Sequence, residues 1–316
     1  MMNGSSRVLE AREEGAPAPL FRTRSELRWL VGLSAAMLLL RVLAFVNYRF
    51  DSDEPQHLHV TWGWTANLVQ YRDIFDNHAP LFHMVTAPIL KMVGERDTIL
   101  FYMRGAMIPL FAFIVLATWI VGVRTWPRRV VAWGAVLLTL FPPFFLKSLE
   151  YRTDNLWTAL WMATLLVLVG KPLTVARSFW AGFILGCALG VSLKTPLLVV
   201  TLIVAALLTD LIMGRSVEWR RAGIRAAAGV AGFIIIPGTL LLLFRHWDAL
   251  SSLWFCNITF NSLAERGRHG TLILQLVYPL ELWLIYEIGR RSLRSRPAPD
   301  RNRLFLTLLC LSLIHI

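Results

Sequence analysis

The chain has 316 residues, 56% of them hydrophobic and only 16% charged, with a mean hydropathy of +0.56. Average soluble proteins carry roughly 25% charged residues. This composition excludes a cytosolic globular enzyme, a disordered chain and a disulfide scaffold, and it leaves an all-α polytopic membrane protein. The formal charge of +12 would suit nucleic acid. The arginines, however, sit in short gaps between apolar runs, so no nucleic-acid partner is expected.

The first residues, to about Glu26, are polar and Arg-rich and read as a cytoplasmic tail over 1–28. The apolar run that follows is longer than the roughly 7–15 residues of a signal-peptide core, so it reads as a retained first membrane helix. A span needs about 20 mostly apolar residues. That template predicts spans at 29–47, 102–123, 130–146, 154–170, 178–193, 196–213, 226–244 and 271–289, with a ninth from about 304. The stretch Pro80–Val93 is too short and reads as an interfacial helix. With the N-terminus in the cytoplasm, 20 of the 32 basic residues fall in inner segments and ten in outer ones. Basic residues resist translocation, so this excess sets the orientation. The sequence shows no repeat and no linker, so 29–316 reads as one membrane domain. The cysteines Cys187, Cys256 and Cys310 are odd in number and far apart, and imply neither a disulfide framework nor a zinc site.

One outer connection is long, running from 48 to 101. Long ordered loops are usually functional. It carries Asp51, Asp53, Glu54, Asp73, Asp76, Glu95 and Asp97, with His57, His59, His78 and His83. Ser52 or Asp53 can N-cap, Pro55 is accepted in the first turn, and the run that follows to about Val69 reads as an amphipathic helix along the membrane surface. Its Trp62 and Trp64 suit headgroup depth. Asp53 and His57, four apart, would share a helix face. One reading makes Asp53 a carboxylate at the water–lipid boundary, where partial desolvation improves a base. The structural alternative is a capping Asp among solvated charges. Glu54 and His57 have the spacing of a carboxylate metal motif, yet His57 and His59 would diverge on a helix. No metal ligand is assigned, and a loosely bound divalent ion beside the acids stays open.

A second group of charges lies between spans 130–146 and 154–170. Pro142-Pro143 breaks the helix, and Lys147, Glu150, Arg152 and Asp154 follow within eight residues. Asp154 either faces the first loop or caps the next helix. Lys194 in its short outer turn is a phosphate anchor or interfacial decoration, and Arg245-His246 is equally open. Glu281 and Glu287 are acids in or near a span. Asn257-Ile258-Thr259 matches a glycosylation sequon.

Three stretches, in order, carry a resemblance. Asp53-Glu54 follows the first span. Tyr71-Arg72-Asp73-Ile74-Phe75-Asp76-Asn77-His78-Ala79-Pro80-Leu81 comes next, and Leu149-Glu150-Tyr151-Arg152-Thr153-Asp154 closes the set. Together the chain resembles the family 39 glycosyltransferases, which include protein O-mannosyltransferases and the aminoarabinose transferase of lipid A. The resemblance implies the C-type glycosyltransferase membrane fold, a polyprenyl-phosphate sugar donor and a hydroxyl acceptor. It implies Asp53 as the catalytic carboxylate, Glu54 as its acidic companion and Asp154 as the second acidic position. It places His78 where the family often has a lysine on the lipid phosphate, so Arg72, Arg152 or Lys194 are expected to supply charge. Tyr71 and Asp76 join these as substrate-side residues. The expected activity is sugar transfer outside a bacterial inner membrane. The competing readings are a transporter or flippase and an accessory membrane protein. The chain stops inside an apolar run, Leu311–Ile316, and family members continue further, so it is expected to be C-terminally truncated.

Overall fold

The computed structural model describes residues 23–214, 218–265 and 301–313. Among these the chain is helical, with no β-strand. The expected span 271–289, with Glu281 and Glu287, lies outside the described residues, as does the tail before Thr23.

Helix α1 is Arg24–Asn47, opened by the Thr23 hydroxyl, which accepts from the Glu26 amide. The first loop then folds into α2 (Asp53–Thr65) and α3 (Leu81–Val93). Next come α4 (Ile99–Gly105), α5 (Ile108–Val123), α6 (Arg128–Leu140) and α7 (Pro142–Lys147). They are followed by α8 (Thr153–Leu168), α9 (Val175–Val191), α10 (Thr195–Ile212) and α11 (Trp219–His246). The chain continues through α12 (Leu250–Trp254), a π-helical turn (Phe255–Phe260) and α13 (Asn261–Glu265). The last described element is α14 (Arg301–Leu313).

Among the described residues four segments are long and apolar enough to cross a membrane: α1, α4 with α5 (Ile99–Val123), α10 and α11. The expected span 130–146 is cut short. Proline lacks an amide hydrogen and clashes with the preceding turn, so Pro142-Pro143 ends α6 and starts the short α7. The expected span 154–170 ends two residues sooner, at Leu168.

The tightest pairing is α9 against α11. A Cβ on Gly182 would stand 1.9 Å from the Gly229 carbonyl oxygen, and one on Gly232 2.1 Å from that of Phe179. Only hydrogen fits there, which is how small residues let membrane helices approach closely. This contact fixes the end of α11, where Phe244 is fully buried against Tyr71 of the first loop.

Helix α2 departs from the expected amphipathic pattern. Its buried face holds Glu54, His57 and Thr61 beside Val60. A buried polar row must be fully hydrogen-bonded to be tolerated, and its partners form the candidate site. The helix ends at Thr65, short of Val69. Its start is also capped differently: Ser52 makes no side-chain cap bond, and the Asp51 carboxylate accepts from the Asp53 amide at 3.2 Å. In return the Asp51 amide donates to Glu54 Oε1 at 2.9 Å.

Candidate functional site

Three groups of polar side chains meet around α2. The first is ionic, with Arg152 at its centre. Arg152 lies in the extended step before α8. Its guanidinium reaches Asp53 at 2.9 Å, Glu150 at 3.1 Å, Asp154 at 3.4 Å and Asp51 at 3.6 Å. Lys147 joins Asp51 at 3.2 Å to Glu150 at 3.0 Å, and Lys194 reaches Asp154 at 3.3 Å. Four carboxylates thus face three cations. Glu150 is fully buried and forms the floor. Asp53, Asp154 and Lys194 form an open rim, with side chains 38%, 36% and 58% exposed. The Asp53 amide, bonded to Asp51, holds that carboxyl below its usual range, and Lys147 and Arg152 add to this. Burial works to discharge Arg152, but its bond to Glu150 and the fields of Asp53 and Asp154 prevail and raise its pKa. This cluster answers the two open readings of Asp154. It stands in the first turn of α8, its carboxylate spent on Arg152 and Lys194, and it makes no cap bond.

The second group is a buried ion pair. Glu54 accepts from Arg104 at 2.6 and 2.8 Å and also from the Tyr151 amide at 2.9 Å. Arg104 donates in turn to the carbonyls of Tyr48 and Arg49. With the Asp51 amide added, four N–H groups occupy Glu54. The expected acidic companion of Asp53 is therefore locked into the scaffold. It sets the Asp51–Asp53 turn and cannot join His57 in a metal motif. Beneath it, the Tyr151 hydroxyl bridges Thr61 at 2.7 Å and Thr86 at 2.6 Å. Burial pushes that phenol up to about 12.

The third group holds the histidines. His57 Nδ1 lies 3.1 Å from His83 Nε2, and both side chains are buried. Burial holds each of them down to about 3, with the neighbouring imidazoles adding to this. Asp76 is fully buried. It accepts from Gln70 Nε2 at 2.7 Å, the His78 amide at 3.2 Å and His78 Nδ1 at 2.9 Å. His83 Nδ1 stands 3.6 Å from Asp76, too far for a hydrogen bond, and has no partner among the described residues. His57 links this group to the first: its ring lies 4.7 Å from that of His78, and the field of Arg152 reaches it. Asp53 and His57 do not pair. Asp53 turns outward to Arg152 while His57 turns inward.

The structure therefore brings Asp53, Arg152, Asp154 and Lys194 together, and separately Tyr71, Asp76 and His78. Tyr71 adopts the left-handed backbone, φ +74°, and its hydroxyl donates to the His78 carbonyl at 2.7 Å. Arg72 belongs to neither group. It pairs with Asp73 at 2.9 Å and donates to the Trp247 carbonyl at the end of α11. Sequence reasoning gave no role to Asp51, Glu150, Lys147 or Arg104. Arg104 carried a usable signal, since an arginine in an apolar run usually has a partner. Among the described residues no three His, Cys, Asp or Glu side chains are placed to share a metal ion.

No family model, curated protein or solved structure matches the chain.

Proposed function

We propose that the chain is a membrane glycosyltransferase. It moves a sugar from a polyprenyl-phosphate-linked donor to a hydroxyl acceptor, with Asp53 as general base. The observation that supports this reading is the Arg152 bridge, which joins a carboxylate of the first loop, Asp53, to one at the head of α8, Asp154. The two come from separate stretches of the chain, and they share one guanidinium at an open rim. An exposed carboxylate edge can take the acceptor proton as the new bond forms, an effect typically worth 10²–10⁴-fold. Arg152 and Lys194 stand ready for the charge that grows on the leaving phosphate. Glu150 and Asp51 hold Arg152, and Glu54 holds the turn that carries Asp53. A lipid-linked donor stays in the membrane, so the catalytic loop belongs at its surface.

In this reading the chain has about nine spans, a cytoplasmic N-terminus and an extracytoplasmic site in a bacterial inner membrane. The inner excess of basic residues supports that orientation. Topology reporters at residues 75 and 220 should report opposite sides; the same side would break the arrangement. The direct test of function is sugar transfer from a polyprenyl-phosphate donor pool by wild type and Asp53→Asn. Full activity in the variant would sink the role of Asp53. Substrate uptake without any transfer product would favour a transporter.

A further inference from the structure

Gln56 stands one turn along α2 from Asp53. Residues three apart on a helix are neighbours, with Cβ atoms about 5–6 Å apart, so the two side chains share the flank of α2 that carries the open rim. Gln56 is half-buried there. Its amide is nearly idle. Nε2 donates to Asn77 Oδ1 at 3.4 Å, and Oε1 has no hydrogen-bond partner among the described residues. That one contact is longer than the usual hydrogen bond of roughly 2.7–3.2 Å. Gln70, the buried amide of the same loop, differs. Its Oε1 accepts from Trp64 Nε1 at 2.8 Å and its Nε2 donates to Asp76 at 2.7 Å.

The side chain behind Gln56 is held from far along the chain. Asn77 Nδ2 donates to Asn261 Oδ1 at 3.1 Å, and Asn261 Nδ2 donates back to the Asn77 carbonyl at 3.0 Å, across 184 positions. Asn261 opens α13, and its Nδ2 also reaches the Asn257 carbonyl at 2.9 Å, inside the π-helical turn. Such turns occur frequently at functional sites. A second rung lies beside this one: the rings of Phe75 and Phe260 meet edge to face at 4.9 Å. Asn77 thus offers a fixed Oδ1, which draws Gln56 Nε2 towards the loop and leaves Oε1 and the second N–H unused. An amide with both groups unused matches a hydroxyl, which also donates and accepts. A carboxylate would meet only the N–H, and an ammonium only the carbonyl.

We infer that Gln56 recognises a hydroxyl of the transferred sugar, the one on the carbon next to the reacting centre, with Asn77 and Asn261 as positioning residues behind it. This rests on the glycosyltransferase reading and narrows its substrate class to sugars that carry a free hydroxyl, and not an amino group, at that carbon. The geometry follows from Asp53. The acceptor oxygen lies against that carboxylate, and the reacting carbon must come within about 3–3.5 Å of the oxygen. The neighbouring hydroxyl then lies within reach of a side chain one helical turn away. The same contact filters substrates, because an analogue without the hydroxyl leaves the amide unpaired.

The test measures kcat/KM of the detergent-solubilised chain for a panel of polyprenyl-phosphate hexoses and pentoses, each paired with its 2-deoxy analogue. Wild type should prefer the parent sugar about tenfold or more, the worth of one hydrogen bond that only the parent makes. Gln56→Leu should transfer the analogue as wild type does and lose the preference. Its unfolding temperature should stay close to wild type, since the amide makes a single long contact. Asn261→Ala should weaken the preference as well; a purely structural role would instead slow parent and analogue alike. A preference kept in full by Gln56→Leu overturns the assignment and leaves the transferase standing. An equal loss for parent and analogue overturns it too, as does a loss that follows a change of acceptor instead of donor. If wild type transfers no sugar from the panel, the transferase reading falls, and the assignment of Gln56 falls with it.

Discussion

Arg104 grips Glu54 through two nitrogens, at 2.6 and 2.8 Å, and neither side chain is exposed. Breaking one partner of a buried pair strands the other charge, at a typical cost of about 3–5 kcal/mol. Arg104→Met and Glu54→Gln should each lower the thermal unfolding temperature in detergent. Replacing both with apolar residues of similar volume should recover much of the loss. Unfolding temperatures equal to wild type in both single variants would show that the pair does not hold the turn of Asp53.

Asp53 should behave in the opposite way. Its carboxylate is 38% exposed and faces Arg152 at the rim, and exposed ion pairs contribute roughly 0–1 kcal/mol. Asp53→Asn should leave the unfolding temperature nearly unchanged and lower sugar transfer about 10²–10⁴-fold. Arg152→Gln should also lower transfer. It should cost stability as well, because Glu150 is buried beneath it. A stable, fully active Arg152→Gln would separate the bridge from catalysis.

Acid should loosen the histidine cluster. Burial lowers His57 and His83 from 6.5 to about 3 in the folded chain. Below about pH 6.5 the unfolded chain takes up protons that the folded chain refuses. Stability is therefore full above that pH and falls progressively towards about pH 3. The slope is about 1.4 kcal/mol per pH unit for each histidine. Unfolding measured from neutral to mildly acid pH should show this slope, and His57→Gln with His83→Gln should flatten it. An unchanged slope in the double variant would assign the acid sensitivity elsewhere.

The seam between α9 and α11 makes no allowance for a side chain. Gly182→Val should force the helices apart, since its Cβ would meet the Gly229 carbonyl at 1.9 Å. Gly223→Ala, with nothing within 4 Å, should be harmless or slightly stabilising. The displacement should reach the loop, because Phe244 and Trp247 of α11 and its end hold Tyr71 and Arg72. Loss of stability in Gly182→Val without any change in Gly223→Ala is the expected pattern; equal effects would remove the seam from the account.

The elements of the fold were legible where the code is local. Apolar runs marked the helices, and Pro142-Pro143 marked the break that ends α6. Ser52, one of the two expected caps, does stand at the N-cap of α2, but the side-chain bond to the helix start comes from Asp51, because several capable caps adjoin and only the packed turn chooses among them. An amphipathic pattern for α2 does not foretell the inward row of Glu54, His57 and Thr61. A polar side chain gives no sign in the sequence of whether it will face water or a buried partner. Arg104 lies 50 positions from Glu54, and Asp51 lies 96 from Lys147. Such pairs leave no spacing to read.

By itself the sequence determined a helical, membrane-type chain with seven of its 20 acids in the first loop. Hydropathy and charge are summed along the chain, so they survive without tertiary knowledge. The tertiary structure alone decided which acid does what. It buried Glu54 on Arg104, left Asp53 open at the rim of Arg152 and fixed His78 on Asp76. Adjacent carboxylates are chemically alike until folding sets the water, the cations and the N–H groups around each one.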